Sequence, residues 1–325
     1  MYRKHTKKIL VTGATGQIGS ELTPELRNRY GGENVVAAGH RRKPEDKLLS
    51  SGPFEFLDAT KKEDVEKVVK EYDVDTIYHL AAVLSAVGEK NPQNAWNINI
   101  GSLYNILEIA REYSLTRVFW PSSIAVFGPE SPRIKTPQNT VLIPRTIYGV
   151  TKVAGELLCN YYFLRYGVDI RSVRYPGIIS SETSPGGGTT DYAVEIFYEA
   201  IRHKRYTCFL RDDTVLPMMY MPDCINAAIT LMEADASRIR CRTSYNVAAM
   251  SFSPAELVAE IRKNIPDFVC EYEPDFRQKI ADSWPMSIDD SAAREDWGWN
   301  PKYDLAAMTR DMIEKLSRRF AEGRL

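Results

Sequence analysis

Histidine and cysteine are scarce in this chain, and their scarcity removes whole classes of chemistry. Only His5, His40, His79 and His203 occur, too dispersed for a ligand set, so no metal is expected. Cys159, Cys208, Cys224, Cys241 and Cys270 are scattered, with no Cys-x-x-Cys spacing. That pattern argues for reduced, buried and inert thiols in a cytosol-like or mitochondrial-matrix compartment. Long apolar runs are missing as well: none reaches the roughly 18 residues of a spanning helix, so no membrane partner is expected. Neither charge is in excess, with 42 basic against 43 acidic side chains and no long single-sign block, which leaves no footprint for nucleic acid. A small molecule is the expected partner. The leading segment 1–8 is basic but too short for a complete transit peptide. As the trimmed remnant of one it fits a mitochondrial matrix in a eukaryote, and otherwise the expected setting of a soluble, unsecreted protein is the cytoplasm. Repeats and low-complexity segments are also lacking.

What is present is an alternation of apolar strands and amphipathic helices. Lys8-Ile9-Leu10-Val11 runs into a glycine turn, and 18–30 continues with helical spacing. Further buried strands are expected at 35–38, 54–57, 76–80 and 117–120, with helices over 61–72, 92–113 and 151–166. This order folds through right-handed crossovers into an α/β, Rossmann-type doubly wound parallel sheet. Residues 171–174 read as its next strand. At 325 residues the chain exceeds the size at which one core keeps growing. We therefore expect a dinucleotide-binding domain over 1–176 and a smaller C-terminal substrate lobe over 177–325, with a segment near 244–248 returning to the main sheet. Residues 184–190 read as a flexible loop in which Gly186 to Gly188 hinge a lid. Trp284, Trp297 and Trp299 read as packing between lobes, and Met218, Met219 and Met221 as gap fillers.

Two motifs carry chemistry. In Thr12-Gly13-Ala14-Thr15-Gly16-Gln17-Ile18-Gly19, Gly13 permits a tight turn, Gly16 lets backbone approach a pyrophosphate, and Gly19 lets helix and strand pack closely. The second strand ends Ala38-Gly39-His40-Arg41-Arg42, without the carboxylate that normally clasps the ribose of NAD. Arg41 or Arg42 either meets a 2'-phosphate, which favours NADP, or is solvated charge. Asp58 is a candidate partner for the adenine or a plain surface carboxylate. The second motif is Tyr148-x-x-x-Lys152, one helical turn apart and about 25 residues after Ser122-Ser123. A free tyrosine has a pKa of about 10, and a neighbouring ammonium favours its phenolate. Tyr148 is thus a candidate base, Lys152 its activator, and Ser123 the hydroxyl that orients the reacting oxygen.

These residues, with His79-Leu80-Ala81-Ala82, Asn99-Ile100-Gly101 and Ser123-Ile124-Ala125-Val126-Phe127-Gly128, resemble the extended short-chain dehydrogenase/reductase superfamily across most of the chain. Within it, Ala82 to Ala86, Trp120 to Gly128, Pro185 to Ala193, Leu216 to Tyr220 and Asp282 to Asp290 are similar to the short-chain L-threonine 3-dehydrogenases. The resemblance implies NAD as cofactor, held by Gly13, Gly16, Gln17, Ile18, Gly19, Asp58, Ala59, Leu80, Ala81, Ala82, Asn99, Tyr148, Lys152 and Tyr175. It implies that Asn99 braces the catalytic region and that the Tyr148 helix packs in a homodimer. It places Ser85, Ser123, Tyr148, Gly186, Thr189 and Thr190 near L-threonine, whose oxidation gives 2-amino-3-oxobutyrate. That product leads to aminoacetone, or to glycine and an acetyl thioester. Asp191 either faces the substrate ammonium or caps the following helix. A nucleotide-sugar epimerase or dehydratase on the same scaffold is the alternative, and a non-catalytic dinucleotide sensor a remote one.

Overall fold

The structure, a computed structural model, describes residues 8–184, 186 and 188–324; the basic leader through Lys7 and the loop residue Gly187 lie outside them. The chain begins with β1 (Ile9–Thr12), α1 (Gly19–Tyr30), β2 (Val35–Gly39), α2 (Asp46–Ser50), β3 (Phe54–Phe56), α3 (Lys62–Tyr72) and β4 (Thr76–His79). It continues with α4 (Ser85–Gly88), α5 (Pro92–Trp96), α6 (Ser102–Glu112), β5 (Arg117–Phe119), β6 (Ser122–Ser123), α7 (Ile147–Tyr166), β7 (Ile170–Arg171) and β8 (Val173–Tyr175). The remainder holds β9 (Gly177–Ile179), α8 (Tyr192–His203), β10 (Arg205–Cys208), β11 (Leu216–Tyr220), α9 (Met221–Glu233), β12 (Tyr245–Asn246) and β13 (Met250–Phe252). Last come α10 (Pro254–Arg262), β14 (Val269–Tyr272), α11 (Arg277–Asp282), α12 (Ser291–Trp297) and α13 (Leu305–Ala321).

Six strands form a parallel sheet in the order β3-β2-β1-β4-β5-β7, the doubly wound arrangement expected from the alternation. Side chains alternate between its faces with period two. Leu10, Val36, Ile77 and Val118 pack against α3, α6 and α7, while Ile9, Val11, Val35, Ala37, Tyr78 and Phe119 pack against α1 and α9. The central strands are covered on both faces, which is why they read as largely apolar runs, whereas Phe56 on the edge strand β3 is exposed. Each such aliphatic side chain contributes about 1.5–3 kcal/mol on burial. A third core gathers α8, α10, α13 and the strands between them around Ile124 to Phe127, with Tyr148 and Val153 of α7 packed against it.

The expected strand 171–174 is split in two. Residues 170–171 pair with β5, whereas 173–175 pair with β6 and β12 in a separate three-stranded sheet. The change of neighbour occurs at Ser172, whose carbonyl accepts Tyr245 N (2.9 Å) and whose hydroxyl meets Ser244 Oγ (2.9 Å). The expected helix over 92–113 is interrupted by a π-turn at Asn97–Gly101, a distortion that often marks functional positions. Trp297 and Trp299 are buried beside Ala293 and Tyr245, Met218, Met219 and Met221 are core, and all five cysteines are free thiols. Among the described residues, no helix is long and apolar enough to cross a membrane, and no group of three or more potential ligands is arranged to hold a metal ion.

The helix α1 also contacts the second lobe. Gln17 Nε2 donates to Ile178 O (3.3 Å), the Ser20 and Thr183 hydroxyls are 3.0 Å apart, and Ser180 Oγ donates to Glu21 (2.5 Å). Burial pushes the Glu21 carboxyl up from 4.5 to about 7, with Glu182 adding to the rise and Ser180, Lys315 and Arg319 opposing it. The neutral acid is thus the form the fold prefers. Its contribution to stability is complete below about pH 4.5 and is lost as pH rises through about 7. Glu21→Gln should therefore raise Tm by about 2–4 °C near pH 8 and leave it unchanged near pH 5. Equal shifts at both pH values, measured by calorimetry, would count against this account.

Candidate active site

The glycine turn joins β1 to α1 at the carboxyl edge of the sheet, and two of its residues are fixed by geometry. Gly13 has φ +74°, and a Cβ there would lie 2.8 Å from Ala81 N. At Gly19 a Cβ would lie 2.2 Å from Gly13 O and 2.7 Å from Ala14 Cα, so helix and turn touch backbone to backbone. Gly16 N donates to Gly13 O (2.9 Å), and a Cβ at Gly16 would lie 3.2 Å from that same oxygen, so the turn closes tightly here as well. No side chain caps the α1 N-terminus at Ile18, so the positive end of the helix dipole is open to an anion, although Ser20 N already donates to Gly16 O (3.0 Å). This turn therefore fits a dinucleotide.

At the ribose edge Arg41 and Arg42 are exposed, and His40 Nε2 faces Asp58 at 3.7 Å. Asp58 Oδ1 also accepts from Thr60 N (3.0 Å) and Thr60 Oγ1 (2.6 Å), and Ala59 O accepts from Asn105 Nδ2 (3.1 Å). A cleft of about 850 Å³ begins at Ala14 and Thr15 and passes Arg42, Lys43 and Lys47 on its way along α1. Its lining does not include the Tyr148 pair.

Tyr148 sits in the first turn of α7, which starts four residues earlier than the periodicity predicts because Thr146 Oγ1 caps it by accepting Gly149 N (3.1 Å). The Tyr148 hydroxyl is hydrogen-bonded to Ser123, whereas Ser122 Oγ points the other way and donates to Glu156 (2.6 Å). Lys152 Nζ donates to Pro121 O (2.6 Å), lies 4.4 Å from the Trp120 ring centroid and 5.5 Å from that of Tyr148. Burial pushes the Tyr148 phenol up to about 12, and the Ser123 hydrogen bond opposes the rise. Burial likewise pushes the Lys152 ammonium down to about 7, with Cys159 and Glu156 opposing. Sequence reasoning anticipates the neighbouring lysine but not this cost, because the spacing carries no information about desolvation.

Asn99 projects from the π-turn and clamps the loop after β4: its Oδ1 accepts Val83 N (2.8 Å) and its Nδ2 donates to Val83 O (3.1 Å) and Thr151 Oγ1 (3.1 Å). Ala81 lies against Gly13, and Leu80 and Ala82 line a second cleft of about 140 Å³ with Gln17, Ile18 and the Tyr148 pair. Tyr175 lines it too, but its hydroxyl is turned away to Cys224 O (2.7 Å). From the second lobe come Thr189, Thr190 and Asp191, with Ser85 Oγ 3.5 Å from Thr189 Oγ1 across the cleft. Gly188, whose N–H is held by Asp191 Oδ2 (2.7 Å), lines this cleft, while Gly186 is exposed beside Leu84. Sequence reasoning assigns Trp284 to packing alone, yet it also walls the cleft. No local pattern announces that, because Trp284 arrives from a helix end far along the chain.

Residues 9–248 match the NAD dependent epimerase/dehydratase family. The chain belongs to that family. NAD is accordingly the cofactor. A relative from Staphylococcus haemolyticus, described as an epimerase/dehydratase, is 53% identical over 311 residues, 95% of this chain and 98% of its own. The solved L-threonine dehydrogenase of Clostridium difficile is 54% identical, with a TM-score of 0.94 over 97% of this chain and 99% of that one. The holo form of a GalE-like L-threonine dehydrogenase from Cupriavidus necator is also 54% identical, with a TM-score of 0.93 over 95% of this chain and 99% of that one.

Proposed function

We propose that this protein oxidises L-threonine at its hydroxyl-bearing carbon, passing hydride to NAD and yielding 2-amino-3-oxobutyrate. The observation that carries the reading is the cleft: about 140 Å³, with Ser85, Ser123, Tyr148, Thr189, Thr190 and Asp191 among its walls. Those hydroxyls, with one carboxylate among them, match the carboxylate and ammonium of a small polar amino acid. Solved L-threonine dehydrogenases among the similar structures support the same choice.

Bound NAD supplies the carbon that accepts hydride. The chain's own groups do the rest. Tyr148, as phenolate, takes the proton from the substrate hydroxyl as its C–H bond yields the hydride, and the Ser123 hydroxyl donates to the reacting oxygen. Lys152 favours the phenolate by its charge. The Ser85, Thr189 and Thr190 hydroxyls meet the substrate carboxylate, Asp191 faces the ammonium, and Trp284 and Ile178 keep water out. The test is absorbance at the reduced-nicotinamide band with L-threonine and either NAD or NADP, using L-serine and L-allo-threonine as controls. Threonine-dependent reduction of NAD is expected; tight binding of a nucleoside diphosphate sugar with no such reduction would overturn the reading.

A homodimer is part of the proposal. Val150, Leu157, Tyr161 and Leu164 on α7, with Tyr104 on α6, leave an apolar face exposed that suits a second copy of the chain. Sedimentation at micromolar concentration should give a dimer, and a monomer there would remove this part. The bacterial origin of the relatives favours a cytoplasmic setting over a mitochondrial one.

A further inference from the structure

One turn beyond Lys152 on α7, Glu156 is 1% exposed and Arg174 of β8 is 3% exposed, and the two form an ion pair outside the cleft lining. Glu156 Oε1 accepts from Arg174 Nε (2.9 Å) and Ser122 Oγ (2.6 Å), and its Oε2 accepts from Arg174 Nη2 (2.8 Å). Arg174 Nη1 donates to Gln138 O (2.9 Å) and Asn246 Oδ1 (3.1 Å). Burying such a pair desolvates two charges for little net stability, so its place beneath a proton-transfer site points to another role.

Two features of the geometry define that role. Ser122 and Arg174 are register partners on β6 and β8, so the Glu156 carboxylate pins α7 to both strands at once. Ser123, the next residue of β6, then points to the opposite face, toward Tyr148. The carboxylate is also the end of the pair that bears on Lys152, one turn away, while Tyr148 is two turns away. We propose that Glu156, held by Arg174, is a positioning residue for proton transfer, acting on Ser123 through Ser122 and on Lys152 through its charge. This rests on the oxidation reading, in which Tyr148 and Lys152 act as phenolate and ammonium.

A phenol with an amine, and a phenolate with an ammonium, hold the same number of protons. A negative charge nearer the lysine favours the second arrangement. Among the described residues, the other titratable groups facing Lys152 are Tyr148 and Cys159 on its own helix and His79 on β4, while Arg174 of β8 is paired with Glu156. His79 is neutral, pushed down to about 3 by burial and then by Lys152 itself, so it adds no competing cation.

Glu156→Gln keeps the shape and an acceptor for Ser122 but removes the charge. We expect kcat to fall about tenfold, the acid limb of its pH profile to move to lower pH, and KM and NAD affinity to stay near wild type. Glu156→Asp, which keeps the charge, should restore the wild-type limb. A readout independent of substrate is the pH midpoint for acetylation of Lys152 by acetic anhydride, followed by peptide mass spectrometry, which should drop in Glu156→Gln. If wild type fails to oxidise threonine, the oxidation reading fails while this midpoint still decides the charge effect. An unmoved midpoint, or a loss of kcat with an unmoved limb, overturns the proposal. Should Glu156→Gln not fold, Ser122→Ala carries the test: it must lower kcat without moving the midpoint, and wild-type kcat overturns the link to Ser123.

Discussion

Replacing Tyr148 by Phe should lower kcat by about three orders of magnitude, within the range that a positioned general base contributes. The change removes one oxygen from a ring that is otherwise packed, so the fold and NAD affinity should be preserved. What is lost is the phenol bonded to Ser123 in the cleft, and with it the acceptor for the substrate hydroxyl proton. Steady-state turnover of the purified variant beside calorimetric NAD titration separates these effects, and turnover within threefold of wild type would end the assignment of Tyr148. The wild-type enzyme should also gain activity with pH. Burial holds the phenol up toward about 12 and the Lys152 ammonium down to about 7, so the base form becomes populated only as pH rises. A kcat/KM that fell from pH 6 to 9 would contradict that order of titration.

Gly19→Ala should weaken NAD binding about a hundredfold or more, which corresponds to about 2.7 kcal/mol. The added methyl would lie 2.2 Å from Gly13 O, and both partners are backbone, so no side chain can rotate to relieve the clash. The helix must retreat from the turn, carrying its uncapped N-terminus away from the pyrophosphate position. Gly101→Ala is the control, because a Cβ there meets nothing within 4 Å. Isothermal titration of NAD into both variants decides the matter; Gly19→Ala within fivefold of wild type would refute the close-packing argument.

Much of the nucleotide-binding half could be read directly because its signals are local. The apolar runs become β1, β2, β4 and β5 within a residue or two, since a parallel strand covered on both faces is built mostly from apolar residues. The turn 12–19 is legible for the same reason: its glycines are required by backbone geometry at fixed spacing. Less visible was the break at Ser172, which depends on a partner strand more than 70 residues away. Glu156 was within reach, as a carboxylate four residues after Lys152 on a helix, but its partner Arg174 was not.

By itself the sequence determined the strand and helix order, the glycine turn, the Tyr148–Lys152 pair and the absence of metal-ligand spacing, because each depends on residues close together in the chain. The tertiary structure decided which serine faces the phenol, that Trp284 closes the cleft, that Gly188 rather than Gly186 lines it, and that burial works against the charges of both Tyr148 and Lys152. Those outcomes depend on what surrounds a side chain, and in this fold the surroundings of the site are assembled from segments as far apart as Gln17 and Trp284.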